Sequence, residues 1–111
     1  MKFMIFNKTN NQCIDIKIIH ADTFFKRFKG LMGKKNIDFA LLFSNLKDSS
    51  IHTMFMMSEI DVYFLDENNI VFEKISLKPW KFHKPKKQAK YILETKKDKL
   101  KIKIGDCLDF I

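Results

Sequence analysis

The chain has 111 residues, 46% of them hydrophobic, with 12 phenylalanines but only 3 glycines and 2 prolines. That is the length of one domain, residues 1–111, with ample material for a core, and it excludes a disordered, repetitive or low-complexity protein. The formal net charge is +8, and residues 78–103 carry eleven lysines against Glu94 and Asp98, so the excess positive charge sits in that segment and the rest is close to neutral.

The first apolar run, Phe3 to Phe6, is four residues long. A signal-peptide core needs about 7–15 residues and a spanning helix about 20. No transmembrane segment is expected, and the chain reads as cytoplasmic. Cys13 and Cys107 stand outside any C-x-x-C spacing. In a reducing compartment they are expected as free thiols, packed as small hydrophobes.

"KFMIF" and "QCIDIKIIHA" read as strands joined by the turn "NKTNNQ". In the second, Ile14, Ile16 and Ile18 alternate with Cys13, Asp15 and Lys17, the period of a half-buried strand. The period then changes. Phe24, Phe25, Phe28, Leu31 and Met32 follow helical spacing, with Asp22 or Thr23 as N-cap and Gly33 at the C-terminal end. Arg27 falls on the flank of that apolar stripe. "FALLF" is a short buried strand, and "SNLKDSS" is a loop.

"IHTMFMMSEIDVYFLD", residues 51–66, reads as two further strands. "NIVFEKISL" follows across the tight turn "ENN", where asparagine accepts left-handed backbone angles. "PWKFHKP" is an exposed bend between Pro79 and Pro85, and "AKYILET", "LKIKI" and "DCLDF" are strand-like. Frequent short strands and one clear helix predict a mainly β fold with one or two short helices. The expected form is an antiparallel β-sandwich or partly open barrel, with the helix packed over one side.

"GLMGKK", "IHTMFM", "IDVYFLDENNIV", "KPW", "YILET" and "GDCLDF" occur in this order. Together they resemble the family called domain of unknown function 192, or uncharacterised protein family 0127. Arg27, Gly30, Leu31 and Met32 match the helix pattern of that family. His52, Met56, Ile60, Asp61, Phe64, Leu65 and Asp66 match its middle, and Pro79, Trp80, Leu93, Glu94, Gly105 and Asp106 its end. The resemblance runs from about residue 20 to the C-terminus. It implies a small β-rich domain and no known activity. The chain departs from the pattern in the turn "TKKDK", usually proline- and glycine-containing, and in its heavily basic C-terminal quarter.

Three groups of residues are candidates for chemistry. The first is His52 with Met54 and Met56, which alternation places on one strand face, a set that could hold copper(I). The apolar surroundings favour core packing instead, so neither a metal nor another cofactor is expected. The second is Arg27, His52 and Asp61 in apolar segments, with Trp80. A buried carboxylate needs a donor, and Arg27 could hold Asp61 through two parallel hydrogen bonds. Arg27, His52, Asp61 and Trp80 could equally form a ligand-binding pocket. His52 and Asp61 could also serve as an acid–base pair in a small hydrolase or lyase, although no nucleophile motif accompanies them.

The third group lies in "LKPWKFHKPKKQAKY". Exposed rings can stack on bases while Lys78, Lys81, Lys84, Lys86 and Lys87 track phosphates beside Phe82. An acidic protein would suit the same charge. No RNP, KH or helix-turn-helix signature accompanies the lysines. If Trp80 packs inward, they form a solvated loop. The sequence thus favours a non-enzymatic ligand- or partner-binding module, with an anion-binding surface as the alternative.

Overall fold

The computed structural model describes residues 2–21, 38–44, 46–54 and 56–111. Nine strands are found there: β1 (Lys2–Asn7), β2 (Gln12–Ala21), β3 (Phe39–Phe43), β4 (Ile51–His52), β5 (Ile60–Leu65), β6 (Val71–Leu77), β7 (Phe82–His83), β8 (Tyr91–Lys96) and β9 (Leu108–Phe110). Among the described residues there is no helix. The expected helix at residues 22–33, with Arg27, lies outside them.

Seven strands form one sheet in the order β6-β5-β8-β3-β2-β1-β9, and β4 pairs only with β7. Neighbours in the sheet run antiparallel except β2 and β3, which are parallel. Local chemistry sets both hairpins. Asn11, at φ 58, ends the β1–β2 turn. In the β5–β6 turn Asp66 Oδ1 accepts the Asn68 and Ile70 N–H groups at 2.8 and 3.0 Å, while Asn69 takes φ 63. Asparagine tolerates these left-handed angles better than most residues do.

The sheet is curled. Its two edges, β6 and β9, approach at one end, where Ile70 and Cys107 form an antiparallel bridge. Val71 N–H donates to the Asp106 carbonyl at 2.9 Å, and Gly105 N–H donates to the Val71 carbonyl at 2.8 Å. Gly105 stands at φ 97, an angle glycine takes without steric cost. The fold is therefore a curled open sheet, a half-barrel, rather than the sandwich of two stacked sheets also considered.

Alternation along the strands divides the core in two. Ile5, Ile18, Leu42, Tyr63, Leu65, Leu93 and Leu108 share one cluster. It contains residues from both edge strands, so it fills the concave side. Leu41, Phe43, Ile60, Val62, Phe64 and Ile92 form the other, and Ile51 and Met56 of the β4 region join them there. All six residues of β5 are buried, as expected for a central strand covered on both faces. Full burial of a side chain such as Phe64 contributes about 1.5–3 kcal/mol.

Two strand expectations are corrected. β4 ends at His52, and Met54 and Met57 are exposed, so the expected strand is shorter and its methionines are not all packed in the core. Of those methionines only Met56 is core. "LKIKI" is not a strand either. Leu100 and Ile102 are buried in the concave cluster, but their carbonyls accept side-chain donors. Tyr63 Oη–H bonds the Leu100 carbonyl at 3.3 Å, and Lys74 Nζ the Ile102 carbonyl at 3.2 Å. Alternating burial here comes from a segment that covers the concave cluster, with its lysines in solvent, without joining the sheet.

Candidate functional site

The β4–β7 ribbon is short, and one buried residue stitches it to the bend that precedes β7. Thr53 is fully buried. Its N–H donates to the Lys81 carbonyl at 2.8 Å, and its carbonyl accepts the Trp80 N–H at 2.9 Å. Its hydroxyl donates to the Lys78 carbonyl at 2.6 Å and accepts the Lys81 N–H at 2.7 Å. These four bonds hold Pro79 and Trp80 in a tight turn with Trp80 at φ 64. A left-handed angle at a bulky residue costs on the order of 1 kcal/mol and persists only where its surroundings impose it.

That turn presents apolar surface to solvent. Trp80 is 61% exposed and Phe82 68%, and Met54 and Met57, in the segment that leaves β4, are exposed as well. Lys78, Lys81, Lys84, Lys86 and Lys87 are exposed as well. Lys87 Nζ lies 4.8 Å from the centre of the Phe72 ring, a cation–π contact at the base of this surface. Rings and lysines are therefore interleaved on one outward-facing element.

A polar latch ties the ribbon to the main sheet. His83 Nε2 and Glu73 Oε2 are 2.5 Å apart, and Glu73 Oε1 accepts the Lys86 N–H at 3.0 Å. The His83 ring packs against Phe64 with centroids 5.7 Å apart. Burial pushes the Glu73 carboxyl upward, but the Lys86 N–H and His83 together outweigh it, so its pKa lies below the ordinary 4.5. A carboxylate lowered on folding stabilises the fold above its unfolded pKa, and that contribution disappears as pH falls through the lower folded value. Glu73→Gln should therefore lower the thermal midpoint near neutral pH and shrink the gap to wild type below about pH 4. A gap that does not change between about pH 3 and pH 7 would show that the Glu73 charge contributes nothing to the latch.

The anticipated site residues are separated. Asp61 is 1% exposed and alternates with Ile60 and Val62, so it faces the concave side of β5. Its carboxylate accepts the Ser76 hydroxyl and, at 2.9 Å, the N–H of Asp98. Asp98 is at φ 62 in the turn after β8. His52 lies on the ribbon, which packs on the opposite face of β5, and its Nδ1 accepts the Met54 N–H at 3.3 Å. Trp80 shares the ribbon with His52, whereas Asp61 does not meet them. Arg27 lies outside the described residues. Tyr63, beside Asp61 on the concave face, is held neutral because burial, then Asp61 and Asp98, push its pKa up.

Other polar residues fasten the scaffold. Asp106 Oδ2 accepts Asn7 Nδ2 at 2.8 Å and the Lys103 N–H at 2.9 Å. Ser49 Oγ accepts the Ala89 N–H at 2.7 Å. Thr53, Ser49 and the His83–Glu73 pair were not singled out from sequence. Their partners lie 10 to 40 positions away, so no local pattern marks them. Among the described residues no three His, Cys, Asp or Glu side chains come together as a metal site. Among them, too, no helix is long and apolar enough to cross a membrane.

A family model described as DUF192, uncharacterized ACR, matches residues 5–110. The chain is 42% identical to a UPF0127 protein of Thermococcus sibiricus, over 96% of this chain and 74% of that one. It is 39% identical to a UPF0127 protein of Pyrococcus furiosus, over 94% of this chain and 95% of that one. A solved structure from Sinorhizobium meliloti, described as a candidate transcription regulator, superimposes with a TM-score of 0.84. It covers 99% of this chain and 94% of that one at 16% identity, a likeness of fold.

Proposed function

The chain belongs to the uncharacterised DUF192 (UPF0127) family, and from that premise we propose that it is a non-enzymatic binding module whose β4–β7 ribbon takes single-stranded nucleic acid. One observation carries this reading. An exposed tryptophan is held at a left-handed backbone angle, on a lysine-bearing turn, by the hydrogen bonds of buried Thr53. Packing alone does not require that arrangement, because a glycine would occupy the turn with less strain.

The chemistry fits a flexible polyanion carrying flat rings. Trp80 and Phe82 offer faces for stacking, and Lys78, Lys81, Lys84, Lys86 and Lys87 supply charge for phosphates. Stacking on an aromatic side chain is worth about 1–3 kcal/mol per base, and it tolerates any sequence. A duplex hides its base faces, so single strands should bind more tightly. The description of the Sinorhizobium structure as a candidate transcription regulator concerns that protein, and at 16% identity the likeness is one of fold.

The test uses short labelled single-stranded and duplex oligonucleotides, with fluorescence anisotropy at two salt concentrations. Trp80 is the only tryptophan, so its own emission reports stacking directly. Binding should be tighter for single strands and should weaken with salt along a log–log slope of about −2 to −4, as expected for three to five phosphate contacts. Trp80→Gly should lower affinity about tenfold through lost stacking. The same substitution should change stability by no more than about 1 kcal/mol, because relief of the left-handed angle offsets lost ring contact. Absence of binding at low salt, or saturation without a change in Trp80 emission, would sink the proposal.

A further inference from the structure

A cleft lies away from the ribbon, at the end of the half-barrel where its edges meet near Asn69. It sits beside the ends of β2 and β3, with a volume of about 170 Å³ and Ile18, Leu42 and Phe110 as apolar lining. Tyr91 completes that lining, its ring edge-on to Phe110 with centroids 5.9 Å apart. Lys2 and His20 supply polar groups to the same cleft. The mouth of a β-barrel is a recurrent place for small ligands, and this one combines an apolar interior with a few polar groups.

We propose that this cleft binds a small monocarboxylate with a compact apolar body. The volume suits a ligand of on the order of ten non-hydrogen atoms. Its hydrocarbon part would rest on Ile18, Leu42 and Phe110. Lys2 Nζ donates to the Phe110 carbonyl at 2.8 Å, which fixes the ammonium at the cleft. An ammonium has three N–H donors, so donors remain for a carboxylate. His20 is positioned by the 2.6 Å hydrogen bond between its Nε2 and Ser44 Oγ. Lys90 adds positive charge nearby, with Nζ 5.2 Å from the Tyr91 ring centre.

Asp109 also lines the cleft and limits the charge it accepts. A dianion would face stronger like-charge repulsion there than a single carboxylate, whose charge Lys2 offsets. Two sources share this chemistry: a branched or aromatic fatty acid, and a free apolar α-amino acid whose ammonium would lie near Asp109. The proposal does not depend on nucleic-acid binding by the ribbon.

The full chain, labelled with nitrogen-15, should be titrated with isocaproate, leucine and isocaproamide while amide resonances are followed. At least one carboxylate should shift Ile18, His20 and Tyr91 saturably, with isocaproamide at least tenfold weaker. Tighter binding of isocaproate assigns the fatty-acid source, and tighter binding of leucine the amino-acid source. Lys2→Met should weaken the preferred ligand about tenfold, the loss of one charge-assisted hydrogen bond, and Lys2→Arg should largely retain it. The proposal is overturned if neither carboxylate shifts the cleft, if the amide binds equally well, or if Lys2→Met binds like wild type. Should Lys2→Met fail to fold, the ligand comparison on the wild-type chain still decides.

Discussion

Asp61→Ala should destabilise the protein by about 2–3 kcal/mol, the range expected when hydrogen bonds to a buried charged acceptor are lost. The carboxylate is almost completely buried and accepts two donors from different parts of the chain. Ser76 belongs to the neighbouring strand β6, and Asp98 to the turn that leaves β8. Alanine would leave the Ser76 hydroxyl and the Asp98 N–H without this acceptor. It would also release a turn whose left-handed residue is held in place by that bond. Asp61→Asn keeps one oxygen acceptor and should cost less, about 1–2 kcal/mol. Chemical denaturation of both variants measures this. In a double-mutant cycle, Asp61→Ala and Ser76→Ala should couple by about 1 kcal/mol or more. A loss below about 1 kcal/mol for Asp61→Ala would show that the buried carboxylate is dispensable.

Thr53→Val should cost about 2–3 kcal/mol, although it preserves the shape of the side chain. The hydroxyl donates to the Lys78 carbonyl and accepts the Lys81 N–H within a fully buried position. Valine removes both bonds and leaves those backbone groups to find water. The backbone bonds of Thr53 to Lys81 and Trp80 persist, so the ribbon should loosen rather than detach. Thr53→Ser retains the hydroxyl and should lose less than about 1 kcal/mol. The functional consequence separates the turn from the rest of the fold. Oligonucleotide affinity should fall for Thr53→Val even at temperatures where the variant is fully folded. Wild-type affinity in such a folded variant would mean that the Trp80 turn needs no anchoring.

Much of the strand pattern was legible. β2 and β3 coincide with "QCIDIKIIHA" and "FALLF", because alternation and short apolar runs bounded by turns are local signals. Asn69 at the β5–β6 turn follows equally from local chemistry. "LKIKI" misled because alternating burial is necessary for a half-buried strand and not sufficient. Leu100 and Ile102 alternate with exposed lysines, yet their carbonyls are taken by Tyr63 and Lys74. The methionines misled for a different reason. An apolar run suggests burial, but Met54 and Met57 sit where the ribbon turns away from the sheet, and only Met56 reaches the core.

The expected grouping of His52, Asp61 and Trp80 separates at β5. His52 and Trp80 share a ribbon on one side, and Asp61 points to the other. Nine positions along the chain separate His52 from Asp61, which says nothing about faces once a turn intervenes. Conversely, the exposure of Trp80 answers the question its sequence context left open. Trp80 does not pack inward, and the lysines around it are exposed as well.

By itself the sequence determined the mainly β character, most strand limits, the basic C-terminal quarter and the family. These depend on periodicity, turn chemistry, charge and ordered motifs, all properties of neighbouring residues. Only the tertiary structure decided that the sheet curls until Ile70 meets Cys107, that Asp61 bonds Ser76 and Asp98, and that Thr53 holds Trp80 outward. The physical reason is that a strand dictates its own alternation but not which neighbours cover each face. That follows from pairings between distant segments, and here those pairings divide buried residues from exposed ones.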